Sequence, residues 1–247
     1  MDFKDVESGT IPPYLMRFFK KVGKTINRYS MIKENDKVLL GISGGKDSLL
    51  LSLALSIRKK WLPISYDLEA VMINWNEHPV TDENRALLFD YFNTLRIPFT
   101  IVDEDMFSKG FNGEFNCYLC SRNRRRILFG IAEERGINTI ALGHHMDDHI
   151  ETTLMNLTLR GRFESMKADQ DFFSGKIKII RPLIETEECT IKRISERLCI
   201  PVVKAVCPFD QVNIRSKIKP IVKSIAALDK NAKEHIYEAV LKNQGHT

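Results

Sequence analysis

The sequence lacks any uninterrupted apolar run long enough to cross a bilayer. Its longest candidate, Leu49 to Ile57, is broken by Ser52 and Ser56, so no membrane span and no membrane partner are expected. The opening residues Met1-Asp2-Phe3-Lys4-Asp5 lack the basic-then-apolar pattern of a secretory signal, and a soluble, cytoplasmic protein is the expectation. Cysteines are few and odd in number: Cys117, Cys120, Cys189, Cys199 and Cys207. That count argues against a disulfide framework and for metal binding or thiol chemistry. Internal repeats, low-complexity tracts and convincing linkers are absent. A strong charge of one sign is also absent, because the formal net charge is +5. Such a mild excess is compatible with a nucleic-acid partner without requiring one.

The 247 residues are 43% hydrophobic, enough for one large α/β domain with small additions. Helical spacing of Leu15, Phe18, Phe19, Val22 and Ile26 predicts a helix over Pro12 to Ser30, its other faces crowded by Lys20, Lys21, Lys24 and Arg28. Strands are then expected at Lys37 to Ile42, Leu68 to Ile73, Phe99 to Val102 and Thr139 to Leu142. They alternate with helices at Ser48 to Ile57, Glu83 to Leu95, Arg122 to Glu134 and Asp147 to Leu159. The alternation predicts an α/β fold, a doubly wound parallel sheet covered on both faces. Beyond Gly161, short strands at Lys176 to Arg181 and Pro201 to Val203 flank a helix at Glu187 to Leu198. Two helices, Ile218 to Ala227 and Ala232 to Leu241, end the chain. The expected division is an N-terminal helical extension over 1–30, a main α/β domain over 31–216, and a helical tail over 217–247.

Leu40-Gly41-Ile42-Ser43-Gly44-Gly45-Lys46-Asp47-Ser48 runs from strand through loop into helix. Adjacent glycines let backbone amides turn toward an anion, and a helix N-terminus adds its dipole and unpaired amides. Ser43 and Ser48 offer hydroxyl donors, and Lys46 a positive charge. Asp47 intervenes where a Walker A loop needs Ser or Thr after the lysine, and a carboxylate beside a phosphate site suits Mg²⁺. The loop follows the first strand, where doubly wound sheets bind ligands. Ser-Gly-Gly-Lys-Asp-Ser resembles the PP-loop of the adenine nucleotide α-hydrolase-like superfamily, which cleaves ATP between its α and β phosphates. The resemblance implies ATP binding by Ser43, Gly44, Gly45, Lys46, Asp47 and Ser48.

A second block, Leu142-Gly143-His144-His145-Met146-Asp147-Asp148, follows the fourth strand and opens a helix at the same sheet edge. Gly143 allows close backbone approach, and Gly143 and His144 are assigned to the ATP site. Asp147 and Asp148 at a helix start read either as N-caps or, facing ATP, as a Mg²⁺ site together with Asp47. The histidine pair lacks a third ligand at helical spacing for zinc. Gly-His-His-x-Asp-Asp followed by Glu151-Thr152 is similar to the segment carried by the tRNA thiolase and lysidine-synthetase branches.

Cys117 and Cys120 stand three positions apart, a spacing that suits zinc, an iron–sulfur cluster or a redox disulfide. No second Cys-x-x-Cys exists to complete a structural zinc site, and Cys207 is the leading third ligand. Three thiolates suit a [4Fe–4S] cluster with one open iron. Cys189 and Cys199 read as small buried apolar residues. The run Cys117-x-x-Cys120-Ser121-Arg122-x-Arg124-Arg125-x-Ile127-Leu128, the Gly-His-His block and Arg181-Pro182-Leu183 together resemble the tRNA 2-thiocytidine synthetase family. The similarity spans roughly Ile26 to Ser216. It departs at Cys207-Pro208-Phe209-Asp210, where many members carry a second Cys-x-x-Cys and this chain has Asp210.

The resemblance implies an ATP-dependent tRNA sulfurtransferase, a transferase that adenylates a base and then inserts sulfur. The implied target is a cytidine in the tRNA anticodon loop, giving 2-thiocytidine. ATP, Mg²⁺ and a [4Fe–4S] cluster on Cys117, Cys120 and Cys207 are the implied cofactors, with Lys46, Asp47 and Asp148 as catalytic residues. Implied partners are tRNA, a sulfur donor (a cysteine desulfurase or sulfide) and a second copy of the chain in a homodimer. Basic clusters at Arg122, Arg124, Arg125 and Arg126, at Arg160 and Arg162, and at Arg215, Lys217 and Lys219 each trail a site element. Phosphates of tRNA are their natural partner, solvated helix faces the plainer one, and the first two clusters are assigned to RNA. The alternatives are a tRNA uridine 2-thiolase, a lysidine-type ligase and a nucleotide-binding module without chemistry.

Overall fold

The computed structural model describes residues 1–61, 63–107, 117–203 and 214–245. A short helix α1 (Phe3–Glu7) and a longer α2 (Pro13–Arg28) precede β1 (Asp36–Ile42) and α3 (Lys46–Trp61). Next come β2 (Tyr66–Trp75), α4 (Asp82–Leu95), β3 (Phe99–Glu104), α5 (Cys117–Glu134), β4 (Thr139–Leu142) and α6 (Met146–Arg160). The chain continues through β5 (Asp169–Phe172), β6 (Ile177–Ile180), α7 (Glu188–Arg197), α8 (Ile214–Ala226) and α9 (Ala232–Asn243).

The sheet has the order β3-β2-β1-β4-β6-β5. Every pairing is parallel except the edge pair β5–β6. Strand order reverses between β1 and β4, where Val38 faces Leu68 on one side and Thr139 on the other. The crevice outside the strand ends at such a reversal is where open α/β sheets hold ligands.

The side-chain period of two divides β1 between two cores. Val38, Leu40 and Ile42 join one cluster with α2, α3, α4 and α7, while Leu39 joins Ile127, Leu128 and Ile131 of α5 on the opposite face. Ser48 to Ile57 of α3 are buried without exception, as expected of a helix apolar on all sides and enclosed between a sheet and other helices. Phe3 and Val6 of α1 and the apolar stripe of α2 belong to that first cluster. The N-terminal helices therefore share the core of the sheet. Helix α8 begins at Ile214 and runs across the 216/217 boundary expected for the tail.

Four expectations change. Pro201 to Val203 forms no strand; Val203 N–H instead donates to Gly44 O at 2.9 Å, so the segment clamps the loop after β1. The edge strand β5, Asp-Gln-Asp-Phe, has too little apolar alternation to announce itself. Helix α5 starts at Cys117, five residues before its expected start, so the cysteine pair occupies its first turn. Cys189 and Cys199 are exposed, not buried.

Candidate active site at the sheet switch point

The loop after β1 is held by its own hydroxyls. Ser48 Oγ donates to Gly45 O at 3.1 Å and lies 3.2 Å from Ser43 Oγ, while Gly45 N–H donates to Ser43 Oγ at 3.3 Å. Gly44 has φ +78°, and a Cβ there would stand 2.9 Å from Val203 O. Both the left-handed backbone and the Val203 clamp therefore demand glycine. Lys46 and Asp47 open α3, with Lys46 Nζ 3.1 Å from Asp47 Oδ1.

The block after β4 is packed directly on that loop. A Cβ on Gly143 would lie 2.9 Å from both Asp47 C and Ser48 N, closer than real Cβ contacts. His145 caps α6: its Nδ1 accepts from Asp148 N–H at 3.3 Å, and its own N–H donates to Asp148 Oδ2 at 3.0 Å. This reciprocal pair is a capping box with histidine in the place of Ser or Thr. Asp147 caps a different helix, accepting from Glu188 N–H of α7 at 2.7 Å and pairing with Lys233 Nζ of α9 at 2.6 Å.

His144 accepts a hydrogen bond from Arg181 Nε at 3.3 Å on its Nδ1. Burial, followed by the Arg181 charge, pushes its pKa down to about 3, so it is neutral and carries its proton on Nε2. Arg181 is itself buried and is lowered to about 10 by burial; it also donates to Lys167 O at 2.6 Å. Asp148 bonds Arg215 Nη1 at 2.9 Å. Burial opposes its ionisation, but His145, whose backbone N–H it accepts, and Arg215 prevail and hold its carboxyl below the usual range.

Glu188 was not singled out by its sequence context, yet it lies at the centre of the site's charges. Lys46 Nζ of the loop and Lys219 Nζ of α8 reach its Oε1 at 3.1 and 3.0 Å. Burial raises its pKa, but the two lysines outweigh it and bring the carboxyl down to about 2. Lys46 in turn is raised, against the effect of burial, by Asp47 and Glu188. Arg215 and Lys219 are thus turned inward onto protein carboxylates, whereas Lys217 is exposed.

The cysteine pair lies at the start of α5, Cys117 exposed and Cys120 half-buried, and positions i and i+3 share one helix face. Cys207 lies outside the described residues. A cleft of about 70 Å³ is lined by Ser43 of the loop, Asn74 and Trp75 at the end of β2, and Cys120 and Arg124 of α5. Arg124 sits over the Trp75 ring at 5.5 Å, and its Nε is buried with no hydrogen-bond partner among the described residues. It faces this cleft, while Arg122, Arg125 and Arg126 are exposed on α5. Arg160 and Arg162 are exposed at the far end of α6, twelve and fourteen residues past Asp148, hence about 18 Å along the helix or beyond.

The residues present fit the groups the chemistry needs. The Gly44–Lys46 turn offers backbone amides to an anion, and its Gly44 position is closed to a Cβ. Asp47 Oδ1 is buried and accepts no hydrogen bond, although Lys46 Nζ and His145 Nε2 lie 3.1 and 3.7 Å away. A cation such as Mg²⁺ would take this oxygen in place of Lys46. Two thiols on one helix face beside the loop's cleft suit a cluster better than a closed zinc site. Among the described residues no three His, Cys, Asp or Glu converge as a complete metal site.

Comparison with known proteins agrees with this geometry. Residues 15–204 match the family model of the PP-loop domain. The tRNA-cytidine(32) 2-sulfurtransferase of Alkalilimnicola ehrlichii is 34% identical over 224 residues, 88% of this chain and 70% of that protein. Its counterpart in Aeromonas hydrophila is 37% identical over 211 residues, 83% of this chain and 69% of that protein. Among solved structures, the U34-tRNA thiolase of Methanococcus maripaludis with its [4Fe-4S] cluster superposes with a TM-score of 0.80 at 25% identity. That match covers 95% of this chain and 80% of the thiolase.

Proposed function

This chain belongs to the PP-loop domain family and groups there with the tRNA-cytidine(32) 2-sulfurtransferases, and we propose that it thiolates a cytidine of the tRNA anticodon loop at the expense of ATP. The observation that carries the reading is the shared cleft, which is lined both by Ser43 of the pyrophosphate loop and by Cys120 of the cysteine pair. Activation by ATP and delivery of sulfur then occur at adjoining positions.

ATP binds with its pyrophosphate on the amides of Gly44, Gly45 and α3. The base carbonyl oxygen attacks the α-phosphate, giving an O-adenylated base and pyrophosphate. Lys46 and the loop amides stabilise the charge that builds on the leaving pyrophosphate. For Lys46 to reach it, the ammonium must exchange Glu188 for phosphate oxygens. A sulfur nucleophile then adds to the activated carbon and expels AMP, leaving the thiocarbonyl. Asp47 would be the first ligand for Mg²⁺, its Oδ1 giving up the Lys46 ammonium for the cation. Asp148 is already ionised but shared with Arg215, and Asp147 is committed to α7 and Lys233. Cys117, Cys120 and Cys207 would hold the [4Fe–4S] cluster, whose open iron supplies a binding site for sulfide. Arg124, facing the cleft, is placed to meet the nucleotide or the base. Arg122, Arg125 and Arg126 are left for tRNA phosphates.

Sulfide or a cysteine desulfurase as donor and a homodimeric assembly, which the family resemblance implies, belong to the same reading, as does a cytoplasmic setting. Anaerobic purification followed by assay of iron, acid-labile sulfide and zinc tests it. About four iron and four sulfide per chain are expected. Zinc alone, or an iron-free protein that joins an amino acid to tRNA, would replace it with a ligase of the lysidine type.

A further inference from the structure

A second groove lies far from the chemistry, between α2 and the last turn of α3. It measures about 250 Å³ and is lined by Met16, Phe19, Lys20, Lys24, Arg58 and Trp61, among others. Its floor is apolar, Phe19 meeting the edge of Trp61 at 5.8 Å between centroids, and Trp61 remains 45% exposed. Its rim is cationic and unneutralised. Among the described residues neither Lys20 nor Lys24 enters an ion pair, whereas the neighbouring Lys59 and Lys60 are paired with Asp67 and Glu7.

Arg58 is the most telling member. Its guanidinium is half-buried against Gly23, where a side chain would collide with it. It donates to the neutral Asn27 Oδ1 at 2.7 Å, its Nε is buried with no partner, and burial lowers its pKa. A partly desolvated guanidinium without a carboxylate is costly to hold, and an anion would satisfy it.

We infer that this groove binds the sugar–phosphate backbone of the tRNA, phosphates on Lys20, Lys24 and Arg58 and a base or ribose against Trp61. Cations interleaved with an exposed aromatic ring are the chemistry of sequence-independent RNA contact. A second copy of the chain fits less well, because a two-fold contact centred here would bring the same lysines together. Helix α3 runs from the pyrophosphate loop to this groove, fifteen residues from Lys46 to Trp61, or about 22 Å. The contact is thus too distant to touch the reacting base, and it positions a stem whose loop reaches the switch point. The inference rests on tRNA being the substrate.

The test compares the unaltered chain with a Lys20→Ala/Lys24→Ala double variant and with Trp61→Ala. All three positions carry exposed side chains, so folding is expected to survive. Filter binding of unmodified tRNA is measured across a salt series, with ATP affinity measured in parallel. The double variant is expected to bind tRNA about ten-fold more weakly at low salt, with a log–log salt slope shallower by about 1.5. Trp61→Ala should weaken binding with the slope retained, and ATP affinity should be unchanged in both. An unchanged Kd and slope in the double variant overturns the inference while leaving the enzyme's substrate intact. A shift from dimer to monomer with an unchanged slope overturns it in favour of a second copy. Failure of the unaltered chain to bind any tRNA would instead remove the functional reading beneath it.

Discussion

Lys46 of the pyrophosphate loop and Lys219 of α8 meet on a single oxygen: both ammonium groups lie about 3 Å from Glu188 Oε1. A loop near the start of the fold and a helix near its end are thereby joined through one carboxylate. In the proposed reaction a phosphate of ATP would compete with Glu188 for Lys46.

Replacing that carboxylate by Glu188→Gln should therefore separate stability from affinity. The nucleotide-free protein is expected to lose about 1–2 kcal/mol, since two cations lose their shared partner. ATP should bind several-fold more tightly, because Lys46 no longer has to leave an anion. Thermal denaturation without nucleotide and calorimetric titration with ATP measure the two effects. Weaker ATP binding would show that Glu188 contributes to the nucleotide site directly.

Lys46→Ala should leave tRNA binding intact and lower kcat/KM for AMP formation by about 10²- to 10³-fold, the cost of one preorganised donor to developing charge. Rates of AMP and pyrophosphate release at saturating tRNA provide the check. A loss confined to KM would mean that Lys46 binds ground state and transition state alike.

Gly143→Ala would place a Cβ 2.9 Å from the backbone of Asp47 and Ser48. Neither backbone atom can rotate away, so the start of α3 has to move. A stability loss of about 1–3 kcal/mol is expected, with weakened ATP binding beside it. Gly130→Ala is the control: nothing lies within 4 Å of its added Cβ, it sits inside α5 and its backbone is not left-handed. That change should stabilise by about 0.5–1 kcal/mol. Chemical denaturation of the two variants distinguishes steric from general effects.

His149 is fully buried against Tyr237, and among the described residues neither ring nitrogen has a hydrogen-bond partner. Burial, with the Arg181 charge, lowers its pKa to about 4. The folded chain then binds this proton later than the unfolded chain does. Stability from this residue is full above about pH 6.5 and is lost as pH falls from there through 4. Glu188, lowered to about 2, adds a second loss as pH falls from about 4.5 toward 2. His149→Phe removes the first loss alone. Its melting temperature should be close to that of the unaltered chain at pH 8 and higher at pH 5. Equal pH dependence in both chains would contradict the assignment.

Local chemistry was the legible part of this site. Gly44, Gly45, Lys46 and Gly143 each carry a backbone or charge requirement visible in sequence, and β4 was read at its observed limits. The cysteine pair was legible as a motif but misplaced as structure, because its spacing gives no sign that α5 already begins at Cys117. Glu188 has no local signature; two lysines from distant elements give it its role. Arg215 and Lys219 belong to a run that reads as surface charge, and only the packing of α8 on α6 turns them toward Asp148 and Glu188. Cys189 and Cys199 failed the ordinary expectation that an unassigned cysteine is buried. Helix α7 leaves the first outside, and a left-handed residue, φ +50°, ends the turn at the second.

The central claim is tested most directly by nucleoside mass spectrometry of tRNA incubated with the anaerobically prepared protein, ATP, Mg²⁺ and sulfide. The account predicts a cytidine in which one oxygen is replaced by sulfur. The product should require ATP and should be abolished by Cys120→Ala. AMP formation with no thiolated nucleoside, or a full yield of it from the Cys120→Ala protein, would contradict the account.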